Sequence, residues 1–124
     1  MKRMLVVEDE LLSQKVLIRL FKNDFKIDVC ESADQFYQNC SNNNYDIIIM
    51  DIALRGSKNG LDLIREIKVM PIFAKTPILC LTAYAYAKDR KTAMDTGADL
   101  FVPKPVSNDV LKNAVQFLVN KNIT

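Results

Sequence analysis

Apolar residues in this chain come in two forms: short unbroken runs, and longer segments where they recur every three or four positions. Met4-Leu5-Val6-Val7 is a compact run that stops at Glu8-Asp9, which suits a buried strand. Leu12, Val16, Leu17, Leu20 and Phe21 follow at helical spacing, and this segment ends near Asn23-Asp24. Ile27 to Cys30 reads as a second strand, and Ser32 is placed to cap a short helix carrying Phe36 and Tyr37. Asn42-Asn43-Asn44 is a loop. Ile47-Ile48-Ile49-Met50 is the clearest strand, a β-branched run without alternation, as in a sheet covered on both faces. A loop from Asp51 to Asn59 leads into a helix whose inner face carries Leu61, Ile64 and Ile67 and which stops before Pro71. Pro77 opens the run Ile78-Leu79-Cys80-Leu81, ending at Thr82. A helix rich in Ala and charge then extends to about Thr96, where Gly97 is placed to end it. Leu100-Phe101-Val102 is a fifth strand, and Ser107 is the expected N-cap of a last helix burying Val110, Leu111, Ala114, Val115 and Leu118.

Strand and helix therefore alternate five times, the pattern of an α/β protein with a parallel sheet and helices on both faces. Right-handed crossovers leave few topologies for such a chain. A length of 124 residues gives one domain, 1–124, large enough to fold on its apolar core without a disulfide or metal.

Composition mainly excludes. A net charge of +2 with mixed signs along the chain does not argue for nucleic acid, and the cluster Lys88, Arg90, Lys91 reads as a solvated helix face. No direct DNA binding is expected. The absence of His removes every His-based mechanism and most zinc sites. Cys30, Cys40 and Cys80 are too far apart for a CxxC-type site and read as buried free thiols in a reducing compartment. No apolar stretch approaches a membrane span or a signal peptide, so the expected location is the cytoplasm.

In a parallel sheet all strands end at one edge, where ligands bind. The residues falling there are Glu8 and Asp9 after the first strand, Asp51 after the third, Thr82 after the fourth and Lys104 after the fifth. Three clustered carboxylates repel one another unless a cation intervenes. All-oxygen ligation favours a hard cation, Mg²⁺ or Mn²⁺, which keeps several waters and accepts phosphate oxygens. Lys104 adds a point charge, Thr82 adds a donor, and a carboxylate can itself be the nucleophile that forms an aspartyl phosphate. Taken singly, Asp9 could be a helix cap, Asp51 a turn residue, Thr82 a strand-end hydroxyl and Lys104 a loop lysine. The site requires that they act together.

Val6-Val7-Glu8-Asp9-Glu10, Ile49-Met50-Asp51-Ile52, Leu81-Thr82-Ala83 and Val102-Pro103-Lys104-Pro105, in this order at strand ends, resemble the receiver domains of two-component response regulators. The resemblance covers essentially the whole chain. It implies a flavodoxin-like fold of strand order 2-1-3-4-5. Asp51 then corresponds to the phosphoacceptor, supplied by a histidine kinase or histidine phosphotransfer protein. Asp9 and Glu8 correspond to metal-binding carboxylates, with the backbone carbonyl of Ala53 as a further ligand. Lys104 corresponds to the phosphoryl-binding lysine, before a cis Pro105. Thr82 and Phe101 correspond to the switch pair, and small Ala83 leaves access to Asp51. The resemblance implies a switch that catalyses only its own phosphorylation and dephosphorylation. Its output face would be the last two helices with the fifth strand, in a monomer or a phosphorylation-dependent dimer.

Two positions depart from the pattern. Many receivers carry Pro-Gly in the loop after the phosphoacceptor; here the pair is Arg55-Gly56, and Ser57-Lys58-Asn59-Gly60 makes the loop one residue longer. Ala53 and Tyr84 are the residues expected to flank the site, and Tyr84 is expected to shield an acyl phosphate from water. Other functions fit less well. A flavodoxin-like nucleotide site wants a Ser/Thr/Gly-rich loop where Glu8-Asp9-Glu10 stands, and a haloacid-dehalogenase-type phosphatase wants a second Asp where Leu11 stands. No P-loop, GxGxxG or GxSxG is present. A docking module that has lost its chemistry would not need intact Asp9, Asp51, Thr82 and Lys104. With no DNA-binding or catalytic segment after Val119, the expectation is a receiver that stands alone or comes from a larger protein.

Overall fold

The computed structural model describes residues 1–83 and 87–121. Five strands, β1 (Lys2–Val7), β2 (Phe25–Cys30), β3 (Ile47–Met50), β4 (Ile78–Thr82) and β5 (Leu100–Pro103), form one parallel sheet in the order β2-β1-β3-β4-β5. The helices between them are α1 (Leu11–Phe21), α2 (Ala33–Gln35, continued by a π-helical turn Phe36–Cys40), α3 (Gly60–Lys68), α4 (Ala87–Thr96) and α5 (Asn108–Lys121). A 3₁₀ turn, Pro71–Phe73, links α3 to β4. This is the doubly wound order expected from the resemblance.

Alternate residues of the strands feed two separate cores, as side chains of period two must. On one face Leu5, Val7, Ile48, Met50, Ile78 and Cys80 pack with Phe36, Leu63, Ile64, Ile67 and Ala93 from α2, α3 and α4. On the other, Met4, Val6, Ile47, Ile49, Leu79 and Leu81 pack with Leu17 and Phe21 of α1 and Leu111, Val115, Leu118 and Val119 of α5. Cys30, Cys40 and Cys80 are all buried free thiols.

The helix ends follow from local chemistry. Ser32 accepts from the Gln35 N–H at 3.1 Å, Ser107 from the Val110 N–H at 3.2 Å, and Asn59 and Asp62 cap α3 reciprocally. Gly97 ends α4 at φ +127°, where a residue with a Cβ would be strained. One expectation fails. Val110 is 56% exposed, because it precedes Leu111 by one residue and so lies about 100° away from the buried stripe of α5. The apolar face of α1 is also wider than its buried side: Gln14, Leu17 and Phe21 are buried, while Leu11, Leu12 and Val16 face solvent.

Candidate functional site

Backbone ladders carry the predicted residues to one edge. The Glu8 N–H donates to the Cys30 carbonyl at 3.0 Å, the Asp51 N–H to the Val7 carbonyl at 3.0 Å, and the Lys104 N–H to the Thr82 carbonyl at 2.8 Å. Carboxylate oxygens of Glu8, Asp9 and Asp51 all lie within 4.8 Å of one another. A cavity of about 380 Å³ opens beside them, lined also by Ala53, Arg55, Ala83 and Lys104. The Lys104–Pro105 bond is cis.

The Lys104 ammonium bonds Glu8 Oε1 at 2.8 Å and Ser13 Oγ at 3.3 Å. Asp51, 8% exposed, accepts the Ala53 N–H on Oδ1 at 2.9 Å. Asp9 Oδ2 accepts the Arg55 N–H at 3.1 Å. Burial pushes the Glu8 carboxyl above its ordinary range, against the stabilising bond from Lys104, and the adjoining Asp51 charge and hydrogen bond push it further up. Repulsion from Asp51 is thus one part of the upward push on Glu8, after burial. Cys80 lies just below, its thiol pushed up to about 12 by burial and by the charge of Asp51.

Thr82 is fully buried at the end of β4, and Phe101 is buried in β5 against the α2–α3–α4 core. Neither lines the cavity. Ala83 does so and is exposed. Tyr84 lies outside the described residues. Three contributors were missed by sequence reasoning. Gln14, buried in α1, donates from Nε2 to the Glu8 carbonyl at 2.7 Å and fixes the turn that carries the acids. Ser13 shares Lys104 with Glu8. Gly60 lies so close to Asp51 that a Cβ would sit 2.2 Å from the Asp51 carbonyl oxygen. The only advance signal was the position of Ser13 and Gln14 in the first turn after Glu8-Asp9-Glu10.

The cluster suits a hard divalent cation: three convergent carboxylates, one ammonium, and no His or thiol ligand among them. Residues 4–116 match the family described as the response regulator receiver domain. The chain belongs to that family. Among curated relatives, it is 32% identical over 121 residues to the two-component response regulator PhoP of Pseudomonas aeruginosa, covering 97% of this chain and 52% of that protein. It is 29% identical over 119 residues to the regulatory protein VanRB of Enterococcus faecalis, covering 96% of this chain and 52% of that one. This receiver domain therefore spans about half the length of those relatives. Among solved structures, the receiver domain of a sensor histidine kinase from P. aeruginosa, with a magnesium ion coordinated in its active-site cleft, matches at TM-score 0.86 and 25% identity over 96% of this chain and 98% of that one. A CheY-like receiver domain protein from Methanospirillum hungatei matches at TM-score 0.90 and 18% identity over 98% and 96%, which speaks to fold. Among the described residues no helix is long and apolar enough to cross a membrane.

Proposed function

We propose that this receiver domain, taken as residues 1–124, accepts one phosphoryl group on Asp51 in a Mg²⁺-dependent reaction. The observation that carries this reading is the convergence of Glu8, Asp9 and Asp51 within 4.8 Å, with half-buried Lys104 bonded to Glu8, at the open edge of the sheet. Glu8, Asp9, Asp51 and the Ala53 carbonyl would hold Mg²⁺ (Mn²⁺ in its place), which would supply charge neutralisation for the phosphoryl oxygens. An Asp51 carboxylate oxygen attacks phosphorus, the bond from phosphorus to the donor nitrogen breaks, and a mixed anhydride remains on Asp51. Lys104 turns from Glu8 to a phosphoryl oxygen, and Thr82 donates to another, so that charge developing in transfer is met by fixed donors. The domain catalyses this step and its hydrolysis on itself only.

The donor in this reading is a histidine kinase or histidine phosphotransfer protein. A second cavity of about 470 Å³ shares Glu10, Ser13, Ala83 and Lys104 with the acid cleft and adds apolar walls from Leu12, Val16, Val106 and Leu111. A donor seated there would lie beside the acid cleft, across the shared residues Glu10, Ser13, Ala83 and Lys104. Output runs through Thr82 and Phe101 to the α4-β5-α5 face, read by a cytoplasmic partner, in a monomer or a phosphorylation-dependent dimer.

Intact-mass measurement after treatment with acetyl phosphate and Mg²⁺ tests the reading. Wild type gains one phosphoryl group, and Asp51→Asn or omission of the divalent cation abolishes the gain. A wild type that stays unmodified, or an Asp51→Asn variant that gains as much, overturns it.

A further inference from the structure

Arg55 stands where the resembled pattern has proline, and it makes two contacts proline cannot. Its backbone N–H donates to Asp9 Oδ2 at 3.1 Å, and its guanidinium Nε lies 3.6 Å from the same oxygen. Proline has neither group. We propose that Arg55 is a built-in competitor of the divalent cation, holding Asp9 in the metal-free protein and giving way when the cation binds. This rests on the reading of Glu8, Asp9 and Asp51 as a divalent-cation site.

The loop from β3 to α3 fixes where Arg55 sits. At its start the Ala53 N–H is bonded to Asp51 Oδ1 at 2.9 Å. Next to Arg55, Gly56 adopts φ +108°, which lets the chain turn away from the cleft. At its far end Lys58 is tied to Glu66 at 2.8 Å and stands 5.6 Å over the Tyr37 ring, while Asn59 caps α3. The backbone of Arg55 is thereby held against Asp9, and the guanidinium follows.

Charge and exposure decide how strong the competition is. Asp9 is largely sheltered, with 18% of its side chain exposed, whereas the Arg55 side chain is 94% exposed. A guanidinium so placed neutralises part of the acid cluster yet loses little on returning to water, because exposed ion pairs are weak. A divalent cation concentrates twice the charge on the same oxygen and displaces it. The result is a cleft whose carboxylates are partly compensated when empty and whose cation affinity is moderated.

Calorimetric Mg²⁺ titration at low ionic strength, paired with thermal unfolding with and without Mg²⁺, tests the idea without any phosphoryl donor. Arg55→Ala binds Mg²⁺ about two- to fivefold more tightly than wild type, the range of a weak exposed ion pair. Its melting temperature also rises more on adding Mg²⁺. Arg55→Lys, which keeps the charge, lies closer to wild type. Raising salt narrows the gap between wild type and Arg55→Ala, as screening requires. If wild type binds Mg²⁺ and Arg55→Ala binds it equally or more weakly, the competitor role is overturned and the cation site stands. If neither protein binds Mg²⁺, the cation-site reading fails and the competitor role falls with it.

Discussion

Two polar clusters occupy opposite ends of β1, and they are built from the same kinds of residue to different ends. Near its start, Arg3 bonds Asp28 Oδ2 at 2.9 Å, the Tyr45 hydroxyl donates to the same oxygen at 2.6 Å, and Asp46 Oδ2 accepts the Arg3 N–H at 2.7 Å. The Arg3 guanidinium also stacks 5.3 Å from the Tyr45 ring centroid. Just past its end, Glu8, Asp9 and Asp51 converge on a cavity also lined by half-buried Lys104 and exposed Arg55. In the first cluster protein donors close around each carboxylate. In the second, three carboxylates crowd together with the Lys104 ammonium and the exposed Arg55 guanidinium. The first cluster ties β1, β2 and the entry to β3 together; the second borders an open cavity.

The contrast breaks most visibly in kinetics. In the proposed reaction Lys104→Ala removes the cation assigned to the phosphoryl oxygens, and the rate of mass gain from acetyl phosphate falls on the order of 100-fold. Arg3→Ala leaves that rate within about twofold once the folded fraction is matched, since neither Arg3 nor its partners line the cleft. A comparable loss in Arg3→Ala would mean that the two ends are not separable.

Stability comes next, and here the two ends differ in sign. Asp28→Asn takes the charge from a carboxylate already bonded to Arg3 and Tyr45, and lowers unfolding free energy by about 1–2 kcal/mol. Asp51→Asn relieves repulsion toward Glu8 and raises it by about 1 kcal/mol in the absence of a divalent cation. Urea unfolding of the two variants in EDTA reads both. A fall in Asp51→Asn would show that the acid cleft is not under electrostatic strain.

The open end was more legible in sequence than the closed one. Apolar runs ending in Glu8-Asp9, Asp51 and Thr82 mark strand termini locally, and parallel topology alone collects them at one edge. Arg3, Asp28 and Tyr45 meet only through strand register and burial, which no local pattern reveals. The same holds inside the site. Gly60 is required by its approach to the Asp51 backbone and Ser13 by its reach to Lys104, 91 positions away. Val110 failed for a different reason: an apolar residue beside a buried stripe satisfies the periodicity within one position, and packing decides which residue turns inward. The Arg55-Gly56 departure was visible, but its contact with Asp9 depended on a loop anchored at Glu66 and Tyr37.

The smallest effect is in the pH dependence, and it separates the two ends by window rather than by sign. Glu8 and Tyr45 both hold their protons more tightly in the folded protein. Burial is the main cause for each, joined by Asp51 for Glu8 and by Asp28 for Tyr45, while Lys104 pulls Glu8 the other way. A group raised on folding contributes stability that is complete below its unfolded value and is lost as pH climbs through its folded value. For Glu8 the decline begins above 4.5 and for Tyr45 above 10.0. Paired carboxylates such as Glu66, whose value is lowered first by Lys58, act oppositely at acid pH, so each contribution is read as wild type minus variant. Glu8→Gln removes the acid-side decline and leaves the alkaline one, and Tyr45→Phe does the reverse. Saturating Mg²⁺ then distinguishes the clusters directly. A cation that binds the ionised carboxylate reverses the Glu8 decline, whereas nothing in the Arg3–Asp28–Tyr45 cluster offers it a place. Loss of the Tyr45 decline on adding Mg²⁺ would show that the two clusters communicate through β1.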